Sequence, residues 1–80
     1  MKDTIEKIDK GTVFWDGRFG PFTCTKKPEF TKVNANRDDG YIWKASDKFG
    51  LEHEFLWIEK YSHYGPKIYL YQAYMNSDSF

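Results

Sequence analysis

The chain has a single cysteine, Cys24, in 80 residues, so no disulfide can close within it. It also lacks an excess of either charge, because twelve Lys and Arg balance twelve Asp and Glu. A general nucleic-acid binder shows a basic surplus, and a mimic of nucleic acid would show an acidic one. Both global signatures are missing, and the two halves barely differ. Residues 1–40 carry eight basic and seven acidic groups, and residues 41–80 carry four and five. The longest uncharged apolar run, Ile68 to Met75, is far short of the roughly 20 residues that cross a bilayer. The N-terminus, MKDTIEKIDK, is charged throughout and lacks the apolar stretch of a signal peptide. With a lone thiol, these absences predict a cytoplasmic protein with no membrane partner. Metal-ligand spacing is missing too. His53 and His63 have no CxxC, HxH or HExxH companion, and Asp38-Asp39-Gly40 lacks the alternating carboxylates of a calcium loop. No metal or cofactor is expected.

What the chain does have is aromatic side chains, one residue in five. A chain this short forms one domain, here residues 1–80, and buries only about 60% of the surface it exposes when unfolded. Large rings, each burying about 150–250 Å², are one way to enrich so small a core. Their distribution is uneven. Five of the six tyrosines fall in the stretch FLWIEKYSHYGPKIYLYQAYM, residues 55–75.

The pattern along the chain predicts a mainly β fold. About five short antiparallel strands should form a twisted meander sheet or a small, partly open barrel, with at most one short helix. Ile5 and Ile8, three apart, suit one face of such a helix, and an early edge strand is the alternative. Thr12 to Trp15 is a β-type run. Asp16-Gly17 is a hairpin dipeptide, Phe19-Gly20-Pro21 prolongs that turn, and Phe22 to Thr25 reads as the returning strand. Lys26-Lys27-Pro28 should break or edge the strand, since proline has no N–H for a ladder. Phe30 to Val33 is a further short strand, and Asn34 to Gly40 has turn chemistry throughout.

Tyr41 to Ala45 follows, with Tyr41, Trp43 and Ala45 on one face. Ser46 to Gly50 is a turn. Residues 51–61 fit a helix through Leu51, Phe55 and Ile58, which would make the class α+β, but their aromatic and β-branched content favours a strand. Ser62 to Pro66 then reads as a hairpin loop into a last strand, Lys67 to Met75, with residues 76–80 a frayed tail. On this reading both faces of the terminal hairpin are apolar, and neither suits water.

Several groups invite a chemical reading. Cys24 with His53 or His63 has the ingredients of nucleophilic catalysis, but a thiol mid-strand between two threonines behaves as a small buried hydrophobe. Glu52 and Glu54 share a strand face about 7 Å apart, which suits acid–base work, but equally an edge strand kept soluble by charge. The turn Asp16 to Pro21 lacks the Lys-Ser/Thr and helix of a phosphate loop. No constellation points to an enzyme.

The aromatic surplus points to binding. A helix or the chain's own N-terminal hairpin could cover the second face and make it core, a ligand or base could stack on it, or a twin or another protein could bind it, since Tyr, Trp and Met are favoured at interfaces. The expected function is therefore a non-enzymatic binding protein, an inhibitor or adaptor acting by occlusion, with homodimerisation as a variant. Trp43, Trp57, Tyr69 and Tyr71 are its candidate anchors, and Arg18 and Arg37 its rim. The alternative is a single-stranded nucleic-acid or nucleotide binder. Lys26, Lys27, Lys32 and Arg37 would meet phosphates while Phe30 or Tyr41 stacks on bases. In size and self-containment the chain resembles the small accessory proteins of phage and mobile elements.

Overall fold

The computed structural model describes residues 2–62 and 67–70. A short helix, α1 (Lys2–Glu6), precedes the strands β1 (Val13–Asp16), β2 (Phe19–Lys32), β3 (Asp39–Ser46) and β4 (Glu52–Ile58). A 3-10 turn (Glu59–Tyr61) and the short strand β5 (Ile68–Leu70) follow. Every described pairing is antiparallel, and the sheet is open, in the order β4-β3-β2-β1-β5. The first four strands form the expected meander. Residues 2–6 take the helical option, and Ile5 and Ile8 are both fully buried. No helix among the described residues is long and apolar enough to cross a membrane.

Three expectations are corrected. The last strand does not form a hairpin with β4. It crosses to the far edge and pairs with β1, placing Tyr69 opposite Trp15 and Leu70 opposite Phe14. The apolar pattern identified the strand but not its neighbour, because alternation fixes a face and not a partner. Residues 63–66 and 71–80, which include most of the expected loop, the end of the expected strand and the expected tail, lie outside the described residues. Phe19-Gly20-Pro21 does not extend the turn but opens β2. Of the two outcomes expected at Lys26-Lys27-Pro28, the break does not occur, since β2 runs unbroken for 14 residues, and the edge does, among the described residues. Its register against β3 slips twice, between Cys24 and Lys26 and between Lys26 and Glu29, so Pro28 sits in an irregularity where no ladder N–H is needed. The β1 ladder has already ended at Val13 and Thr23, so this part of β2 has β3 as its one described neighbour.

Alternation sorts the side chains cleanly. Phe14, Phe22, Cys24, Tyr41, Trp43, Ala45, Phe55, Trp57 and Ile68 are buried with Ile5 and Ile8 in one cluster. The opposite face carries the cross-strand rows Thr23–Ser46–Glu52, Lys26–Lys44–Glu54 and Glu29–Ile42–Leu56. That face is largely polar, so the sheet does have a water-facing side. The expectation of two apolar faces is not met in β4, whose outer face carries Glu52 and Glu54 beside Leu56, and residues 71–75 of the expected last strand lie outside the described residues.

The sheet is curled. β1 and β4 have two strands between them, which in a flat sheet separates them by roughly 14 Å. Yet the rings of Phe14 and Phe55 meet at 5.1 Å, and Phe22 and Phe55 at 4.9 Å. Trp43 stacks on Phe55 at 5.4 Å and meets Phe14 edge-on at 6.3 Å. The concave face thus closes largely on itself, and Ile5 and Ile8 complete the cluster.

α1 is tied down by one polar contact. The Tyr41 hydroxyl donates to Glu6 Oε1 at 2.6 Å. That bond to a carboxylate, with lesser help from burial, pushes the Tyr41 hydroxyl up to about 12. Its stabilisation is complete below the ordinary tyrosine value of about 10 and fades as pH rises toward the folded value. Tyr41→Phe should cost about 1–2 kcal/mol in urea unfolding at pH 7, and should remove the alkaline part of the stability profile that the parent loses above about pH 10.

A Cβ at Gly40 would collide with the Trp57 carbonyl oxygen and approach Val33 Cγ2 to 3.0 Å. Gly40→Ala should therefore part β3 from β4 and lower stability by about 1–3 kcal/mol, read from the midpoint of chemical unfolding.

Candidate functional site

Strands that alternate in direction bring their tight turns together. The β1–β2 turn and the β3–β4 turn lie at the same end of the sheet, and the surface between them is the candidate site. The first turn is Gly17-Arg18. Gly17 takes a left-handed φ of 58°, which suits glycine, and its N–H donates to the Lys67 carbonyl at 2.8 Å. The turn is therefore tied to the chain entering β5.

The second turn is organised by Asp47. Its Oδ1 accepts from the backbone N–H groups of Phe49 at 2.8 Å and Leu51 at 3.0 Å. Its Oδ2 lies 2.8 Å from His53 Nε2. The Asp47 N–H donates to the Leu51 carbonyl at 2.8 Å, and the Gly50 N–H to the Asp47 carbonyl at 3.0 Å. Hydrogen bonding to His53, chiefly, and to the two backbone N–H groups holds the Asp47 carboxyl below the usual carboxylate range.

These fastened turns present apolar groups to solvent. Phe19 is 73% exposed, Phe49 78% and Leu51 63%. Between the turns lies a cleft of about 390 Å³ lined by Arg18, Phe19, Phe22, Lys48, Phe49 and His53, with Gly20 and Asp47. A second cleft of about 350 Å³ continues from it along β4, lined by Asp16, Glu54, Phe55 and Leu56 and again by Phe19, Phe22 and His53. The shared ring of Phe22 meets His53 edge-on at 5.6 Å. Burial raises the Asp16 carboxyl above its ordinary value, although a hydrogen bond from the Lys67 backbone works the other way.

No family model, curated protein or solved structure matches this chain. Its site has to be read from its own geometry.

Of the anchors expected from sequence, Trp43 is wholly buried and Trp57 is 2% exposed. Both belong to the core and offer a partner no surface. Tyr69 is 44% exposed on β5, beside Trp15, and Tyr71 lies outside the described residues. Arg18 joins the cleft, whereas Arg37 is exposed at the opposite end of the sheet, in the β2–β3 loop.

The nucleic-acid set does not assemble either. Tyr41 is buried and bonded to Glu6, so it cannot stack on a base. Phe30 packs edge-on against it at 5.2 Å and stays half exposed. Lys32 is paired with Asp39. Lys26 lies in the polar row with Lys44 and Glu54, on the face opposite Phe30, and Lys27 is exposed in the β2 irregularity.

The catalytic candidates are equally dispersed. Cys24 is buried, its thiol donates to the Lys26 carbonyl at 3.2 Å, and burial pushes its pKa up. Ala45 stands between it and His53 in the cross-strand row. Glu52 accepts from the Thr25 hydroxyl at 2.9 Å and lies 3.9 Å from the Lys44 ammonium. Among the described residues, no three His, Cys, Asp or Glu side chains group as metal ligands.

Sequence reading passed over Phe19, Lys48, Phe49 and Leu51. The available signal was the run Ser46-Asp47-Lys48-Phe49-Gly50-Leu51, in which two large apolar residues sit inside turn chemistry.

The Asp47 contacts make the second turn sensitive to acid. A lowered carboxyl stabilises above the ordinary aspartate value of about 4 and loses that contribution as pH falls through its folded value. In an NMR pH titration the Phe49 and Leu51 amide signals should move together with the Asp47 carboxyl. Asp47→Ala should abolish that shared transition, and amides indifferent to both changes would refute the anchoring role.

Proposed function

We propose that the chain is a non-enzymatic binding protein that occludes a protein partner with the hairpin-tip end of its sheet. The observation that carries this reading is the pair Phe19 and Phe49, both about three-quarters exposed beside one cleft, Phe49 within the second turn and Phe19 at the first position of β2 after the other. Large aromatics are the usual anchors of protein interfaces. A phenylalanine that is mostly in water contributes little to its own fold, so folding alone gives no reason to place two of them here. The hydrogen bonds of Asp47 fix the second turn in advance, which lowers the ordering cost of association. Arg18 and Lys48 supply a charged rim. Against a nucleic-acid role, the basic groups lie on different faces and ends of the sheet, and Lys32 is already paired.

The test is capture from lysate, with and without nuclease, using the parent and a Phe19→Ala/Phe49→Ala variant. The parent should retain a protein whether or not nuclease is present. The variant should bind it more weakly by on the order of 2 kcal/mol, roughly thirty-fold, with unchanged thermal unfolding because both side chains are exposed. Retention abolished by nuclease, or identical retention by the two forms, would sink the proposal.

A further inference from the structure

The two clefts at the hairpin tips differ in charge. In the arm between the turns, Arg18 has no ion pair among the described residues, and the Lys48 ammonium lies 5.2 Å from the centre of the Phe49 ring. The one carboxylate there, Asp47, is already engaged by His53 and two backbone N–H groups. That arm therefore has unspent positive charge. The arm along β4 carries Asp16 and Glu54 and no Lys or Arg. Glu54 stands across from Lys44 in the strand register but forms no ion pair with it, since the nearer carboxylate is Glu52. Phe19, Phe22 and His53 line both arms and so form the junction between them.

We infer that the cleft takes an extended segment of a partner protein with an apolar side chain at its centre, a carboxylate on one side and a cationic group on the other. The apolar side chain meets Phe19 and Phe22. The carboxylate faces Arg18 and Lys48, and the cation faces Asp16 and Glu54. In an extended chain alternate side chains share a face and lie about 7 Å apart, so a charged, an apolar and an oppositely charged residue at positions i, i+2 and i+4 face the junction together and reach into both arms. Electrostatic matching of this kind contributes to selectivity and register more than to raw affinity, because like-charge alternatives are penalised. The inference rests on the protein-binding reading above and specifies the partner's chemistry.

Four blocked pentapeptides test it: acetyl-Glu-Ser-Leu-Ser-Lys-amide, acetyl-Lys-Ser-Leu-Ser-Glu-amide, acetyl-Glu-Ser-Leu-Ser-Glu-amide and acetyl-Lys-Ser-Leu-Ser-Lys-amide. Each is titrated into the nitrogen-15-labelled protein while the amide signals of Phe19, Phe22, Lys48 and His53 are followed. At least one mixed-charge peptide should shift these signals at a concentration tenfold or more below that needed by either uniform peptide. An Arg18→Glu/Lys48→Glu variant, altered only at exposed positions, should instead favour the all-basic peptide. Equal response to all four, no response at these amides, or an unchanged preference in the variant would overturn the inference. The phenylalanine comparison is blind to ligand charge, so the two ideas fail separately. Capture that needs Phe19 and Phe49, with no charge preference among the peptides, removes only the charge assignment. Capture that ignores both phenylalanines removes the docking surface itself.

Discussion

The convergence of Phe14, Phe22, Trp43 and Phe55 is the constraint on which the rest depends. Among the described residues, the short helix and the segment after it bring two isoleucines, Ile5 and Ile8, to the cluster, too few to cover a flat five-stranded face. The sheet meets this by curling until rings from non-adjacent strands touch, at 4.9 Å and 5.1 Å. Aromatic residues suit the task because they reach far from the backbone and each bury about 150–250 Å². The curl needs β2 to turn along its length, and its two register slips supply the local increase in twist. A straight β2 would leave β1 and β4 too far apart to share a core.

This solution has a cost. The indole N–H groups of Trp43 and Trp57 are buried without a hydrogen-bond acceptor among the described residues. Each such donor costs about 1–3 kcal/mol. Burying a ring of about 200 Å² returns roughly 5 kcal/mol at about 25 cal/mol per Å². The balance favours tryptophan, but by a margin smaller than its size suggests. A domain with no disulfide to constrain its unfolded chain accepts that margin because aliphatic residues of lesser reach would not bridge the curl.

Much of this was legible in the sequence, and the failures share a cause. The strands at Val13, Tyr41 and Phe55 were readable because alternation and β-type residues are local signals. That Tyr41, Trp43 and Ala45 share one face followed directly, but not that this face is the core. The partner of β5 was not readable, because register and neighbour choice depend on contacts made across the whole chain. Trp43 and Trp57 were assigned to a surface because tryptophan is a frequent interface anchor, and alternation alone does not say which face is the core. With β5 beside β1, the curl gives both indoles a place. Pro28 misled in a different way, since a proline within a strand is tolerated wherever the ladder has already slipped.

The aromatic surplus therefore divides into two populations with different physics. Phe14, Phe22, Trp43, Phe55 and Trp57 are buried and make the core. Phe19, at the first position of β2, and Phe49, within the second turn, leave roughly three-quarters of their surface in water. Asp47 organises the second turn through its carboxylate and backbone, so any residue at position 49 that offers its N–H satisfies that geometry. Nothing in the curl or the core selects phenylalanine at either tip. The core and its curl thus account for the buried rings and leave the two exposed ones at this end of the sheet without a role in folding.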